Sequence, residues 1–424
     1  MNFDPPSRPD ASRPESGVLR RLNTGIRASV RRPRPKSRSA VVSHIPFSRP
    51  HIGEEEIAAV VETLRSGSLT TGLKTHEFQR AFAKAIGAPQ AIAVNSGTAA
   101  LHLALDALEL PSNAEVITST LTFAATASAI VHAGARPVLV DVSRDTLNLD
   151  PCDVARKITP RTKAIVPVHF AGHPAAMNEI LDIARQHGLR VIENAAHALP
   201  ASYHGRAIGT IGDVTAFSFY ATKNMTTGEG GMLTTKDGEI ADRMWTRRLH
   251  GMSWNASHRY GGGGWRYDVS YPGFKYNMTD VAAAIGLVQL ARLPALHQRR
   301  REIAAMYSTL LSDVPELRLP STRPDVGHAW HLYVVRLLPE RLRLTRDSLI
   351  EILKIKGISA NVHYIPLHLH SYFRKALDVT EEHFPVASIA AETMLSLPLF
   401  PRMADDDVQY VADTLRRILH TRRR

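Results

Sequence analysis

Between about residue 90 and residue 235 the chain repeats one pattern. A short apolar run rich in β-branched side chains gives way to a stretch of helical periodicity, and then the run returns. Residues 91–94, 115–118, 137–142, 164–168, 190–193, 214–219 and 232–235 read as strands. Residues 98–108, 123–131 and 175–187 read as helices set between them. Strands this apolar, separated mostly by helices, predict an α/β fold with a largely parallel seven-stranded sheet covered on both faces. Upstream, residues 54–64 and 77–86 read as helices, with a turn at 69–72 (LTTG) that carries two hydroxyls. Downstream, 279–311 reads as a long helix leading into a second domain. That domain has strand candidates at 332–337 and 358–363 and a terminal helix at 405–419. The expected division is a basic extension over 1–44, a large domain over 45–295, and a linking helix with a smaller α/β domain over 296–424.

Charge separates the extension from the rest. The chain of 424 residues carries a formal net charge of +12. Residues 1–44 hold nine Arg and one Lys against Asp4, Asp10 and Glu15, a net of +7, which leaves about +5 for the other 380 residues. The extension is rich in Pro, Ser and Arg, and Phe3 is its only aromatic residue. It reads as a disordered segment and not as a nucleic-acid arm with rings to interleave between bases. It also has no apolar core of the kind a secretory signal needs. No apolar run anywhere approaches the roughly 20 residues of a membrane helix. The one cysteine, Cys152, excludes an internal disulfide framework and fits a reducing cytoplasm.

Chemistry concentrates where strands end. Residues 213–235 (DVTAFSFYATKNMTTGEGGMLTT) read as strand, glycine-broken loop and strand, with Lys223 in the loop and Ser218 at the end of the first strand. An amine placed beside a buried sheet loses solvent and proton affinity, and its neutral form attacks an aldehyde. Taken alone, Lys223 also reads as one more surface lysine. Asn95-Ser96-Gly97-Thr98-Ala99 runs from a strand into a helix, where free N–H groups attract a phosphate and Thr98 and Ser218 add hydroxyls. An ordinary helix cap looks the same. Phe123 follows the next strand and can stack on a planar ring or pack in the core. Asn194, in Glu193-Asn194-Ala195-Ala196-His197, can reach a ring nitrogen, with His197 supporting it by a hydrogen bond. A turn asparagine and a satisfied core histidine are the plainer readings. In open α/β sheets ligands sit beyond the carboxyl ends of the strands, where all of these residues fall. A phosphate cradle, a stacking ring, a ring-nitrogen partner and an aldehyde-binding lysine together describe a site for pyridoxal 5'-phosphate (PLP).

The segments NSGTAALHLAL, TSTLTFAATASAI, TPRTKAIVPVHFAGHP, IENAAHAL, FSFYATKNMTTGEGGMLTT and KYNMTDVAAAIGL, in this order, resemble the DegT/DnrJ/EryC1/StrS sugar aminotransferases from about residue 45 to residue 401. The stretch YPGFKYNMTDVAAAIGLVQL followed by RRREIA most resembles the branch that aminates UDP-4-keto-pentoses. The resemblance implies a PLP-dependent transferase of fold type I, a homodimer with active sites shared between subunits. It implies Lys223 as Schiff-base lysine and proton shuttle. Gly97, Thr98, Ala99 and Ser218 would hold the phosphate, and Asn277 would reach it from the partner subunit. Phe123 would stack on the pyridine ring, with His197 nearby. Thr70, Thr71, His363 and Tyr364 would face a nucleotide-linked keto-sugar, and glutamate would donate the amine.

One position departs from the resemblance. The family has Asp where this chain has Asn194. A neutral amide can hydrogen-bond a ring nitrogen but cannot hold it protonated by an ion pair. Three readings follow: an aminotransferase that compensates; a PLP enzyme of altered chemistry, such as elimination or epimerisation, or of reduced activity at an impaired site; and a non-catalytic regulator using the basic extension. Dehydratase members of the family replace the lysine by His, whereas Lys223 is retained.

Overall fold

The computed structural model describes residues 44–252 and 267–424, so the expected basic extension over 1–44 lies outside the described residues except for His44. The central sheet contains β1 (Gln90–Val94), β2 (Glu115–Ser119), β3 (Arg136–Val140), β4 (Thr162–Val166), β5 (Arg190–Asn194), β8 (Val214–Ser218) and β9 (Gly231–Thr235). A two-residue hairpin, β6 (Ser202–Tyr203) and β7 (Arg206–Ala207), lies between β5 and β8. The strand order is β1-β9-β8-β5-β4-β2-β3. β9 runs antiparallel to both of its neighbours, and the other six strands share one direction. The exception has a local cause: β8 and β9 are joined by a loop without a crossover helix, the usual connection of antiparallel neighbours.

Side-chain alternation divides the strands between two cores. Ala93, Ile117, Ile165, Val191, Phe217 and Met232 pack into one buried cluster. Their sequence neighbours Val94, Val116, Val166, Ile192, Ala216 and Leu233 pack into another. A period of two with both sets buried means that both faces of the sheet are covered. On the second face sits the helix Gly97–Asp106, capped by Ser96, whose Oγ accepts the Ala99 N–H at 3.0 Å.

The helix Asp280–Leu310 is 31 residues long and opens on a Thr279 cap. Its first half buries Ala283 and Leu293 against the sheet's core. Its second half buries Ile303, Ala304 and Tyr307 in a separate core with Tyr333, Val335, Leu395 and Leu397. That smaller core is built on β10 (Leu317–Arg318), β12 (Tyr333–Leu337) and β13 (Met394–Leu397), while β11 (Val326–Gly327) joins the β6–β7 hairpin. The expected strand at 358–363 does not form. Ile358 bridges to Ile45 and Asn361 to Ser396, two different partners, so no ladder runs along the segment. No helix among the described residues is long and apolar enough to cross a membrane.

Candidate active site

The loop after β8 carries Lys223, held by its N–H on the Tyr220 carbonyl at 2.9 Å. Burial pushes the Lys223 amine down from 10.5 to about 7, with no carboxylate beside it to restore the charge. Three histidines feel that amine. Burial first, then Lys223, drives the His363 imidazole down to about 4. His197 lies well below its usual value through burial, then Lys223, then His363. His331 is lowered by burial, then His197, then Lys223. The surroundings of Lys223 are therefore neutral imidazoles.

His197 and Tyr364 form one wall of this space. The His197 Nε2 pairs with the Tyr364 hydroxyl at 2.9 Å, and their rings stack at 5.8 Å. The His197 ring also lies 4.4 Å from that of His331, whose Nδ1 meets the Asn224 side-chain oxygen at 3.1 Å. The His197 Nδ1 is buried without a partner. Phe123 extends the wall, 5.5 Å from Tyr364, and is 59% exposed. That exposure excludes the reading of Phe123 as a core residue and leaves its ring open to a ligand. His363 is set from behind: its Nδ1 meets the Ser396 hydroxyl at 3.0 Å, and its ring stacks on Phe47 at 4.9 Å.

The turn into the helix Gly97–Asp106 closes on the end of β8. A Cβ on Gly97 would stand 2.7 Å from the Ser218 Cβ, so only glycine lets this turn close on the end of β8. A Cβ on Gly231 would likewise stand 2.5 Å from the Ser96 carbonyl oxygen. The N–H groups of Gly97 and Thr98 have no acceptor within the helix, and Ser218 lies against Gly97. Such a cradle suits a phosphate.

Asn194 ends β5. Its Nδ2 donates to the Thr126 Oγ1 at 2.9 Å, and its Oδ1 accepts the Ala196 N–H at 3.1 Å. The expected support of Asn194 by His197 is therefore corrected: Thr126 holds Asn194, and Tyr364 holds His197. Thr126 in turn pairs with Thr122 at 2.8 Å. The neighbouring acid, Glu193, faces away into the sheet. It takes His169 Nε2, the Gly212 N–H and the Thr215 hydroxyl, and these outweigh burial and keep it ionised.

Thr70, Thr71 and Asn277 gather elsewhere, around the start of the long helix. The Asn277 Nδ2 donates to the Thr71 Oγ1 at 2.7 Å, and that hydroxyl donates to the Met278 carbonyl at 2.6 Å. The Thr70 carbonyl accepts the Asp280 N–H at 3.1 Å. Asn277 also bridges to Val94 at the end of β1. Thr126, Asn224, His331 and Phe47 were not expected from the sequence. Thr126 sat inside a predicted helix with nothing to distinguish it. His331 and Phe47 are brought in by chain more than 100 residues away from Lys223.

The unpartnered His197 nitrogen, the glycine-closed cradle and the deprotonatable amine fit the three parts of PLP: ring, phosphate and aldehyde. An open, mostly parallel sheet that presents these groups beyond its strand ends defines a PLP-dependent aminotransferase. The model of the DegT/DnrJ/EryC1/StrS aminotransferase family matches residues 50–416, and the chain belongs to that family. It is 50% identical over 377 residues to the spore coat polysaccharide biosynthesis protein SpsC of Bacillus subtilis (strain 168), covering 88% of this chain and 97% of that one. Among solved structures it is similar to the putative sugar aminotransferase Spr1654 from Streptococcus pneumoniae in its PLP form, with 35% identity, a TM-score of 0.83 and 89% and 99% of the two chains covered. DesV of S. venezuelae, solved in complex with a ketimine intermediate, has 35% identity and a TM-score of 0.81 over 89% and 99% of the chains. The alternative of a non-catalytic regulator falls with this membership.

Proposed function

We propose that the protein transfers an amino group from glutamate to the keto group of a nucleotide-linked sugar, in the cytoplasm, as a homodimer. The observation that carries this reading is the Lys223 amine, lowered to about 7 by burial and within electrostatic reach of His197, His331 and His363. When bound, PLP supplies an aldehyde that receives the amino group from the donor and passes it to the acceptor. Lys223 would hold that aldehyde through Nζ. Freed from it, Nζ is basic enough to take a proton from the donor's Cα and neutral enough to give it back. Gly97, Thr98 and Ser218 would bind the phosphate through N–H and hydroxyl donors, with Ala99, whose N–H is taken by the Ser96 Oγ, behind them, and Asn277 of a second copy would complete the cradle.

Phe123 would stack on the pyridine ring, whose nitrogen would meet Asn194. The buried His197 would lie against that ring with Nδ1 available to a polar group. His363, Tyr364, Thr70 and Thr71 would orient the sugar nucleotide. A sugar acceptor is supported by the description of the pneumococcal neighbour as a sugar aminotransferase and by the polysaccharide role named for the Bacillus relative. The branch that aminates UDP-4-keto-pentoses is the first acceptor class to try. Adding glutamate to the purified holoprotein should change its visible spectrum, and one of a panel of UDP- and dTDP-keto-sugars should restore it. If glutamate acts but no nucleotide sugar reverses the change, the acceptor assignment is wrong.

A further inference from the structure

A small cavity touches the Lys223 loop. It is bounded by residues 48–51, by residues 221–224 with Thr226, by Gln289, Leu296 and Arg300 of the long helix, and by Pro401. None of the cradle or aromatic-wall residues lines it. Among the described residues only four buried side-chain nitrogens have no hydrogen-bond partner, and two of them, His51 Nδ1 and Arg300 Nε, belong to residues that line this cavity.

Arg300 is 2% exposed. One of its terminal nitrogens donates to the carbonyls of Trp330, His331 and Leu399 at 3.1–3.3 Å, so the charge meets dipoles only. No acidic residue lines the cavity, while Arg49, Lys223 and Arg300 do. Glu56, the carboxylate near His51, is taken by Gln289 and Arg292. A buried cation without a counter-charge is costly, and a bound anion relieves that cost where a water would not. The cavity measures about 10 Å³, room for one particle of roughly water size. That size suits a monatomic ion better than phosphate or a carboxylate.

We propose that this cavity is a binding site for a single monatomic anion of chloride size, held by the Arg300 Nε–H and by His51 with a proton on Nδ1. The ion neutralises Arg300 and ties the strap at residues 48–51 to the Lys223 loop and the long helix.

The direct test is diffraction from holoenzyme crystals grown in sodium bromide, read at the bromine edge. An anomalous peak in contact with Arg300 Nε and His51 Nδ1 supports the site. A water there, with no anomalous signal at high bromide, overturns it. In solution, the holoenzyme's melting temperature should rise saturably with chloride compared with gluconate at equal ionic strength, and His51→Leu should abolish the saturable part. Equal responses to the two salts, or an unchanged chloride response in His51→Leu, would also overturn it. The bromide experiment uses the unaltered chain, so a variant that fails to fold does not remove the test.

Discussion

Replacing Lys223 by methionine should make the cofactor-free protein more stable at neutral and acid pH, while the proposed function would be lost. The side chain is of similar length and loses only its charge. Folding lowers the amine from 10.5 to about 7 because burial removes its water. Each pH unit of such a drop corresponds to ~1.4 kcal/mol, so the 3.5 units set an upper limit of ~5 kcal/mol. Lys223 keeps partial contact with solvent. Screening by that water reduces the expected gain to about 2–3 kcal/mol.

The sign follows from proton counts. Below pH 7 the folded and unfolded chains both bind the proton, and the folded state carries the full penalty. From pH 7 to 10.5 the unfolded chain binds more protons, so the parent gains stability as pH rises. Above 10.5 both forms are neutral and the penalty is gone. Denaturant unfolding of cofactor-free parent and Lys223→Met across this range should show the variant ahead at pH 6 and the difference closing by about pH 10.5. A difference that stays flat across the range, or a variant less stable at pH 6, would refute the desolvated amine.

Three further outcomes follow from the site's geometry. Gly97→Ala forces a Cβ to within 2.7 Å of the Ser218 Cβ. It should cost about 1–3 kcal/mol of stability and weaken PLP binding at least tenfold, measured by cofactor titration. Asn194→Asp places a carboxylate where an amide now takes the Ala196 N–H and meets Thr126. It should speed the glutamate half-reaction about tenfold for each ~1.4 kcal/mol of ring-nitrogen stabilisation and shift the bound cofactor's spectrum, whereas no change in stopped-flow rate would mean that the chain compensates for Asn194 elsewhere. Tyr364→Phe removes the partner of His197 Nε2 and leaves a buried nitrogen unpaired, a loss of about 1–3 kcal/mol that should appear in thermal unfolding and in the KM for the sugar.

Much of this site was legible in the chain because its parts are local. A strand, a turn and a helix start bring Gly97, Ser218, Asn194 and Lys223 to one end of a sheet, and periodicity of two marks the strands that do it. Lys223 could be singled out because the glycines at 228, 230 and 231 break the pattern around it. The alternation also foretold two buried faces, which the split of β1 to β9 between two cores bears out. What stayed hidden depends on distant chain. The antiparallel sense of β9 goes with a connection from β8 that has no crossover helix and is not written in its own residues. Asn194 turned out to lean on Thr126, and His197 on Tyr364, because tertiary packing chooses among partners that spacing cannot rank. Residues 358–363 have the composition of a strand, yet Ile45 and Ser396 take single positions of it and no ladder forms. The Arg300 cavity had no sequence signature at all, since its walls come from four separate parts of the chain.

The claim on which the rest depends is that one amine, Lys223, carries the cofactor. Borohydride reduction of the holoprotein followed by peptide mass spectrometry tests it directly. The account expects a single pyridoxyl label, on Lys223. A label on any other lysine, or none, would contradict it.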